Sequence, residues 1–237
     1  VNFQVAKRVQ TNFIFVHERR FFLWICRNLP AWVTPDHATA LSAFGALVAF
    51  IGYAASRIDP ALLFVATGGL VMNWAGDSLD GNLARSRGWQ RPRYGYFIDH
   101  SVDALSNLLI MAGLGLTLYV RLDVALFALL GYYLLCIYVF LYNQVTGVFE
   151  LTFAAFGPTE LKIGIVVINL TMYAKGMIAW TVAGAALSLY DLVLLATSAI
   201  FVLLFLQRTC AAIVKLYGEE PPGPHQRSET KASTLLK

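Results

Sequence analysis

This 237-residue sequence predicts an all-α fold, a polytopic membrane protein of about six transmembrane helices preceded by an amphipathic interfacial helix. Three observations carry that expectation. Hydrophobic residues make up 58% and charged residues 14%, against about 25% charged in a soluble domain, and the mean hydropathy is +0.62. Six apolar segments recur along the chain, each near or above the roughly 20 residues that cross a bilayer. Lys and Arg gather in some connections between them and are nearly missing from others.

Net charge +4 and a pI near 9.0 would also fit a nucleic-acid binder. Here the basic residues flank apolar segments, where positive charge sets membrane orientation, so no nucleic-acid partner is expected. Cys26, Cys136 and Cys210 lie far apart and form no C-x-x-C pair, which fits neither a disulfide framework nor a zinc site. The N-terminus does not read as a cleaved signal peptide, because His17, Glu18, Arg19 and Arg20 interrupt its apolar run.

Residues 1–34 form the first element. Phe3, Val5, Phe13, Phe21, Phe22 and Trp24 alternate with Lys7, Arg8, Arg19, Arg20 and Arg27. A helix of that composition lies in the membrane interface, its basic side chains reaching toward lipid phosphates, or packs across the cytoplasmic rim of the bundle. Pro30 and Pro35 end it, and Thr34-Pro35-Asp36 is a helix start. A membrane domain over 35–216 follows, with apolar segments near 37–56, 60–83, 95–120, 123–144, 160–184 and 189–214. The N-terminal segment, the Arg85–Arg93 connection and the stretch after Arg208 are basic, whereas the connections near Arg57, Arg121 and 185–189 are not. Both termini and the 85–94 connection are therefore expected on the cytoplasmic side. Residues 217–237 are rich in Pro, Ser and charge and are expected to be a disordered tail.

Against this background the segment Gly76–Asp103 stands apart, with Asp77, Asp80, Asp99 and Asp103 in apolar company. Ionisable residues inside a membrane domain mark function by default, because burying them is costly. Helical spacing puts Asn73, Asp77, Asp80 and Ala84 on one face and Asp99, Asp103 and Asn107 on one stripe of the next segment. Two adjacent helices thus aim four carboxylates at one point. Such a group is tolerated when protonated or when divalent cations lie between its members. All-oxygen ligation favours Mg²⁺ or Mn²⁺, and a pair of them suits phosphoryl transfer. Gly81 admits close approach to the backbone, Ala84 keeps the next turn small, and Arg85 is suited to gripping a phosphate.

The run Asp77-x-x-Asp80-Gly81-x-x-Ala84-Arg85, followed by Gly95-x-x-x-Asp99-x-x-x-Asp103, resembles the signature of the CDP-alcohol phosphotransferases at every fixed position. The resemblance implies a six-span membrane enzyme that transfers a substituted phosphate from a CDP-linked alcohol to an acceptor hydroxyl and releases CMP. It implies two Mg²⁺ or Mn²⁺ ions held by Asp77, Asp80 and Asp99, with Asp103 sharing the metals or acting as general base. Asp77, Gly81, Ala84 and Arg85 would line the CDP pocket. A homodimer is a further expectation by resemblance.

Two features resemble the choline and ethanolamine branch. The third carboxylate is followed by His100 in Phe97-Ile98-Asp99-His100-x-x-Asp103, close to F-D-H-x-x-D but with Ile98 inserted. His100 then becomes a second candidate base. Thr146-Gly147-x-x-x-Leu151 and Gly157-Pro158-Thr159-Glu160 are similar to a T-G…G-P-T-E stretch of that branch. Glu160 either caps its helix or faces a cationic head group, with Asn107 as a further residue of the acceptor site. The eukaryotic members of that branch are longer, and the short six-span core looks bacterial, which implies the inner membrane.

The resulting expectation is transfer of phosphocholine or phosphoethanolamine to a lipid alcohol such as diacylglycerol. Within the same chemistry the alternative is a CDP-diacylglycerol-dependent enzyme acting on inositol phosphate, glycerol phosphate or serine. A phosphorylated acceptor needs a basic pocket, for which the later segments offer little beyond Lys162. From another class, a divalent-cation transporter would spread its carboxylates along a pathway, whereas these cluster at neighbouring helix ends.

Overall fold

The computed structural model describes residues 7–9, 13–150, 157–182 and 185–221. The chain is all-α in character. Its helices are α1 (Phe13–Asn28), α2 (Pro35–Ala55), α3 (Leu63–Arg87), α4 (Pro92–Gly115), α5 (Leu122–Thr146), α6 (Pro158–Lys175) and α7 (Leu189–Glu219). Among the described residues, four short strands accompany them. β1 (Lys7–Val9) pairs in parallel with β2 (Val148–Glu150), and β3 (Ala179–Val182) pairs antiparallel with β4 (Ala185–Ser188). Leu151 and residues 222–237, most of the expected tail, lie outside the described residues. Tyr217 to Glu219 still belong to α7.

Among the described residues, α2, α5 and α7 are long and apolar enough to cross a membrane. Of the others, α1 is only 16 residues long, and α3, α4 and α6 fall short for an instructive reason. α3 carries Asp77, Asp80, Arg85 and Arg87, α4 carries Arg93, Asp99 and Asp103, and α6 carries Glu160, Lys162 and Lys175. The residues that make these helices chemically interesting are those that lower their hydropathy.

The expected helix start at Thr34 is present as a reciprocal cap. Thr34 Oγ1 accepts from His37 N at 3.3 Å, and His37 Nδ1 accepts from Thr34 N at 3.0 Å, with Pro35 in the first turn. The fifth apolar segment ends sooner than its hydropathy predicts. α6 stops at Lys175, Gly176 follows with φ +67°, and the apolar remainder turns into the β3–β4 hairpin. Hydropathy does not separate an apolar helix from an apolar hairpin; the left-handed glycine ends the helix.

α2 and α3 touch backbone to backbone. A Cβ added at Gly69 would lie 2.3 Å from Ala49 N, one at Gly45 2.4 Å from Asn73 N, and one at Gly76 2.4 Å from Ser42 N. Small residues permit this approach, and dispersion and interhelical hydrogen bonds hold membrane helices once it is made. Asn73, 1% exposed, donates from Nδ2 to Ser42 O (3.1 Å) and Ser42 Oγ (2.9 Å). Deeper in the bundle, Tyr53 donates to Asn169 Oδ1 and Asn169 Nδ2 to Thr67 Oγ1, both at 3.0 Å, linking α2, α6 and α3.

At the end of the bundle opposite the aspartates, the buried Asp191 serves two helices. Oδ1 accepts from Arg121 N before α5, and Oδ2 accepts from Ser188 N before α7, each at 2.9 Å. At the aspartate end, Phe22 of α1 packs edge-on against Trp74 of α3, ring centroids 5.1 Å apart. Arg87 closes the same corner, its guanidinium donating to the carbonyls of Leu29, Pro30, Ala31 and Val33. The first helix is thus packed across the bundle rim, with Phe21 and Trp24 on its exposed side.

Candidate active site

The last turns of α3 and the first turns of α4 build the site. α3 ends at Gly88, whose φ of 67° gives a left-handed cap, and Trp89 N donates back to Ala84 O at 2.9 Å. Pro92 then starts α4 at once, so the acidic halves of the two helices lie beside one another at one end of the bundle.

Each carboxylate has a distinct setting. Asp80, 8% exposed, faces α2 and accepts a 2.8 Å bond from Thr39 Oγ1 as well as one from Gly81 N. Asp77 turns toward α6, where Lys162 Nζ approaches its Oδ2 to 2.7 Å. Asp99 lies 3.3 Å from Nδ1 of His100. Ligand atoms of Asp99, His100 and Asp103 all fall within 4.8 Å of one another. Asp103 interacts electrostatically with Asp77, Asp99 and Asp80 as like charges and with Lys162 as an opposite one. The tight group is thus Asp99, His100 and Asp103, with Asp77, Asp80 and the Lys162 ammonium in electrostatic range of it.

The surrounding residues leave room on one side. A Cβ at Gly95 would meet nothing within 4 Å, and one at Gly81 would first meet the Arg85 guanidinium, at 3.2 Å. Arg85 is exposed and donates from Nη2 to Asn82 Oδ1 at 3.1 Å. Ala84 is half-buried on the turn before it. His100 is set between two rings, 4.2 Å from Tyr96 and 5.2 Å from Phe140. Glu160 Oε2 accepts from Gly157 N at 2.8 Å and so caps α6. Asn107 is half-buried one turn beyond Asp103.

The sequence-derived face needs one revision. Asn73 does not share the site with Asp77; it is the hydrogen-bonding partner of α2. Asn73, Gly76, Asp80 and Leu83 are buried together, while Asp77 lies about 60° round the helix from Asp80, toward α6. Sequence reasoning passed over Thr39, Lys162 as the partner of Asp77, and Glu18. Glu18 of α1 accepts from Trp74 Nε1 (3.0 Å), Ser78 Oγ (2.7 Å) and Thr159 Oγ1 (2.9 Å). Its one visible signal is an acid set between basic residues on α1.

With this geometry in place, comparison with protein families decides the assignment. The pattern of the CDP-alcohol phosphatidyltransferase family matches residues 32–190. The chain belongs to this family. Comparison with curated proteins finds no match. Membership makes the chain a transferase of phosphate-containing groups in phospholipid synthesis, with CDP-alcohol and lipid substrates, and its apolar helices make it an integral membrane protein. Family members are generally dependent on a divalent metal. The donor set here fits such ions: carboxylate oxygens of Asp99 and Asp103 with a His100 ring nitrogen, and Asp77 and Asp80 nearby, more carboxylates than the Lys162 ammonium balances.

Proposed function

We propose that this CDP-alcohol phosphotransferase moves phosphocholine or phosphoethanolamine from CDP-choline or CDP-ethanolamine to the hydroxyl of a lipid alcohol such as diacylglycerol. The observation that carries the reading is the group of Asp99, His100 and Asp103 with Asp77, Asp80 and the Lys162 ammonium in electrostatic range, beside the open backbone of Gly81 and Gly95. Asp77, Asp80, Asp99 and Asp103 would hold two Mg²⁺ or Mn²⁺ ions, which supply neutralising charge to the pyrophosphate and the CMP leaving group.

The chain's own groups do the rest. Arg85 grips a phosphate of the donor, and Gly81 and Ala84 let the nucleotide lie against α3. Asp103 or His100 takes the acceptor's proton as its oxygen attacks the phosphorus, and the P–O bond to CMP breaks. Glu160, fixed at the α6 N-terminus by its cap, faces the cationic head group, with Asn107 on the acceptor side. The Asp99–His100 pair and the Gly157-Pro158-Thr159-Glu160 start of α6 support the amino-alcohol branch.

In this reading α2 to α7 all cross the membrane, the polar halves of α3, α4 and α6 being covered by one another at the site. The site and both termini face the cytoplasm, where CDP-activated donors are made, and the membrane is a bacterial inner membrane. The enzyme acts as a homodimer.

Incubation with labelled CDP-choline, CDP-ethanolamine or CDP-diacylglycerol tests the assignment. CMP release from either amino-alcohol donor is expected; release from CDP-diacylglycerol alone overturns the branch. His100→Ala divides the two bases. A drop of about 100-fold in rate, the scale of general-base catalysis, with donor and metal binding intact assigns the proton to His100. A near-normal rate leaves it with Asp103.

A further inference from the structure

The matched family segment begins at residue 32, so α1 lies outside it. Yet one α1 side chain reaches the site's supporting residues. Glu18 Oε1 accepts from both Trp74 and Ser78, which flank Asp77 on α3, and its Oε2 accepts from Thr159 in the first turn of α6. Lys162, one turn further along α6, is the residue that meets Asp77. Glu18 also interacts with Lys162 as an opposite charge. A single carboxylate therefore spans the two helices whose separation sets the Asp77–Lys162 contact.

We infer that Glu18 is a positioning residue for Asp77: by bonding α3 through Trp74 and Ser78 and α6 through Thr159, it fixes where that carboxylate points. The inference rests on the proposed function, in which Asp77 is a metal ligand. Groups that orient a ligand carboxylate typically govern metal affinity by 10–100-fold. The side chain's three accepted bonds, rather than its charge, do the positioning. An amide reproduces them, because its oxygen still accepts from Trp74 and Ser78 while its nitrogen donates to the Thr159 hydroxyl.

The test is Mn²⁺ binding to the purified full chain, followed by electron paramagnetic resonance without any donor or acceptor present. Glu18→Ala is expected to raise the Mn²⁺ dissociation constant by about 10-fold, and Glu18→Gln to stay within about twofold because its hydrogen bonds persist. Equal affinity in the wild type and Glu18→Ala overturns the inference, as does Glu18→Gln binding as weakly as Glu18→Ala. A wild type that binds no Mn²⁺ overturns the proposed function and this inference with it. Should Glu18→Ala not fold, Thr159→Val carries the test, since it removes only the α6 bond. Weakening of about 3-fold, a fraction of the full effect, supports the inference, and unchanged affinity overturns it.

Discussion

Asp80→Asn and Asp99→Asn are each expected to lower CMP release by more than about 100-fold, since even groups that only orient metal ligands cost 10–100-fold. The protein should nonetheless stay folded. Asp80 is 8% exposed and feels Asp99 and Asp77 as like charges, so neutralising it removes repulsion within the group. The amide oxygen keeps the bond from Gly81 N, and the amide nitrogen donates to Thr39 Oγ1, whose hydroxyl is then free to donate to Pro35 O. Melting temperatures measured without divalent cations should therefore be no lower than that of the wild type. Retained turnover in both variants would overturn the two-metal assignment, and a collapse of melting temperature would make these carboxylates structural.

The second large effect concerns stability and involves no chemistry. Gly69→Ala is expected to destabilise the α2–α3 pair by more than the 1–3 kcal/mol typical of overpacking. The added carbon would lie 2.3 Å from Ala49 N and 2.7 Å from Gly45 O, both backbone atoms that no rotamer change moves. The helices must part, which also stretches the Asn73 bonds to Ser42. Gly95→Ala is the matched control, since its new carbon meets nothing within 4 Å. The amount of monodisperse protein extracted from membranes reads the difference. If Gly69→Ala is extracted as well as Gly95→Ala, the close approach of the two helices is not what holds this corner.

Much of this was legible in the sequence, and the exceptions share a cause. Helix starts with side-chain caps were readable, as Thr34 shows, because the determinants lie within a few residues. The aspartates were readable because polarity in an apolar segment is conspicuous. Reading failed where the deciding partner is distant. Asn73 shares a spacing with Asp77, but its partner Ser42 lies 31 residues away. Lys162 is 85 residues from Asp77, and Thr159 is 141 from Glu18. The end of the fifth segment failed differently, since residues 176–188 are as apolar as a helix and only Gly176 signals the break.

The Arg87 clasp bears on where this protein can be cut. A chain begun at residue 32, where the family pattern starts, would keep the Val33 carbonyl but lose those of Leu29, Pro30 and Ala31. It would also lose Phe22 from the face of Trp74. Arg87 closes the last turn of α3, two residues after Arg85, so the stripped guanidinium would stand at the Arg85 end of the helix. The boundary of the family pattern thus cuts through packed structure, and a chain begun at residue 32 is expected to melt below the full chain.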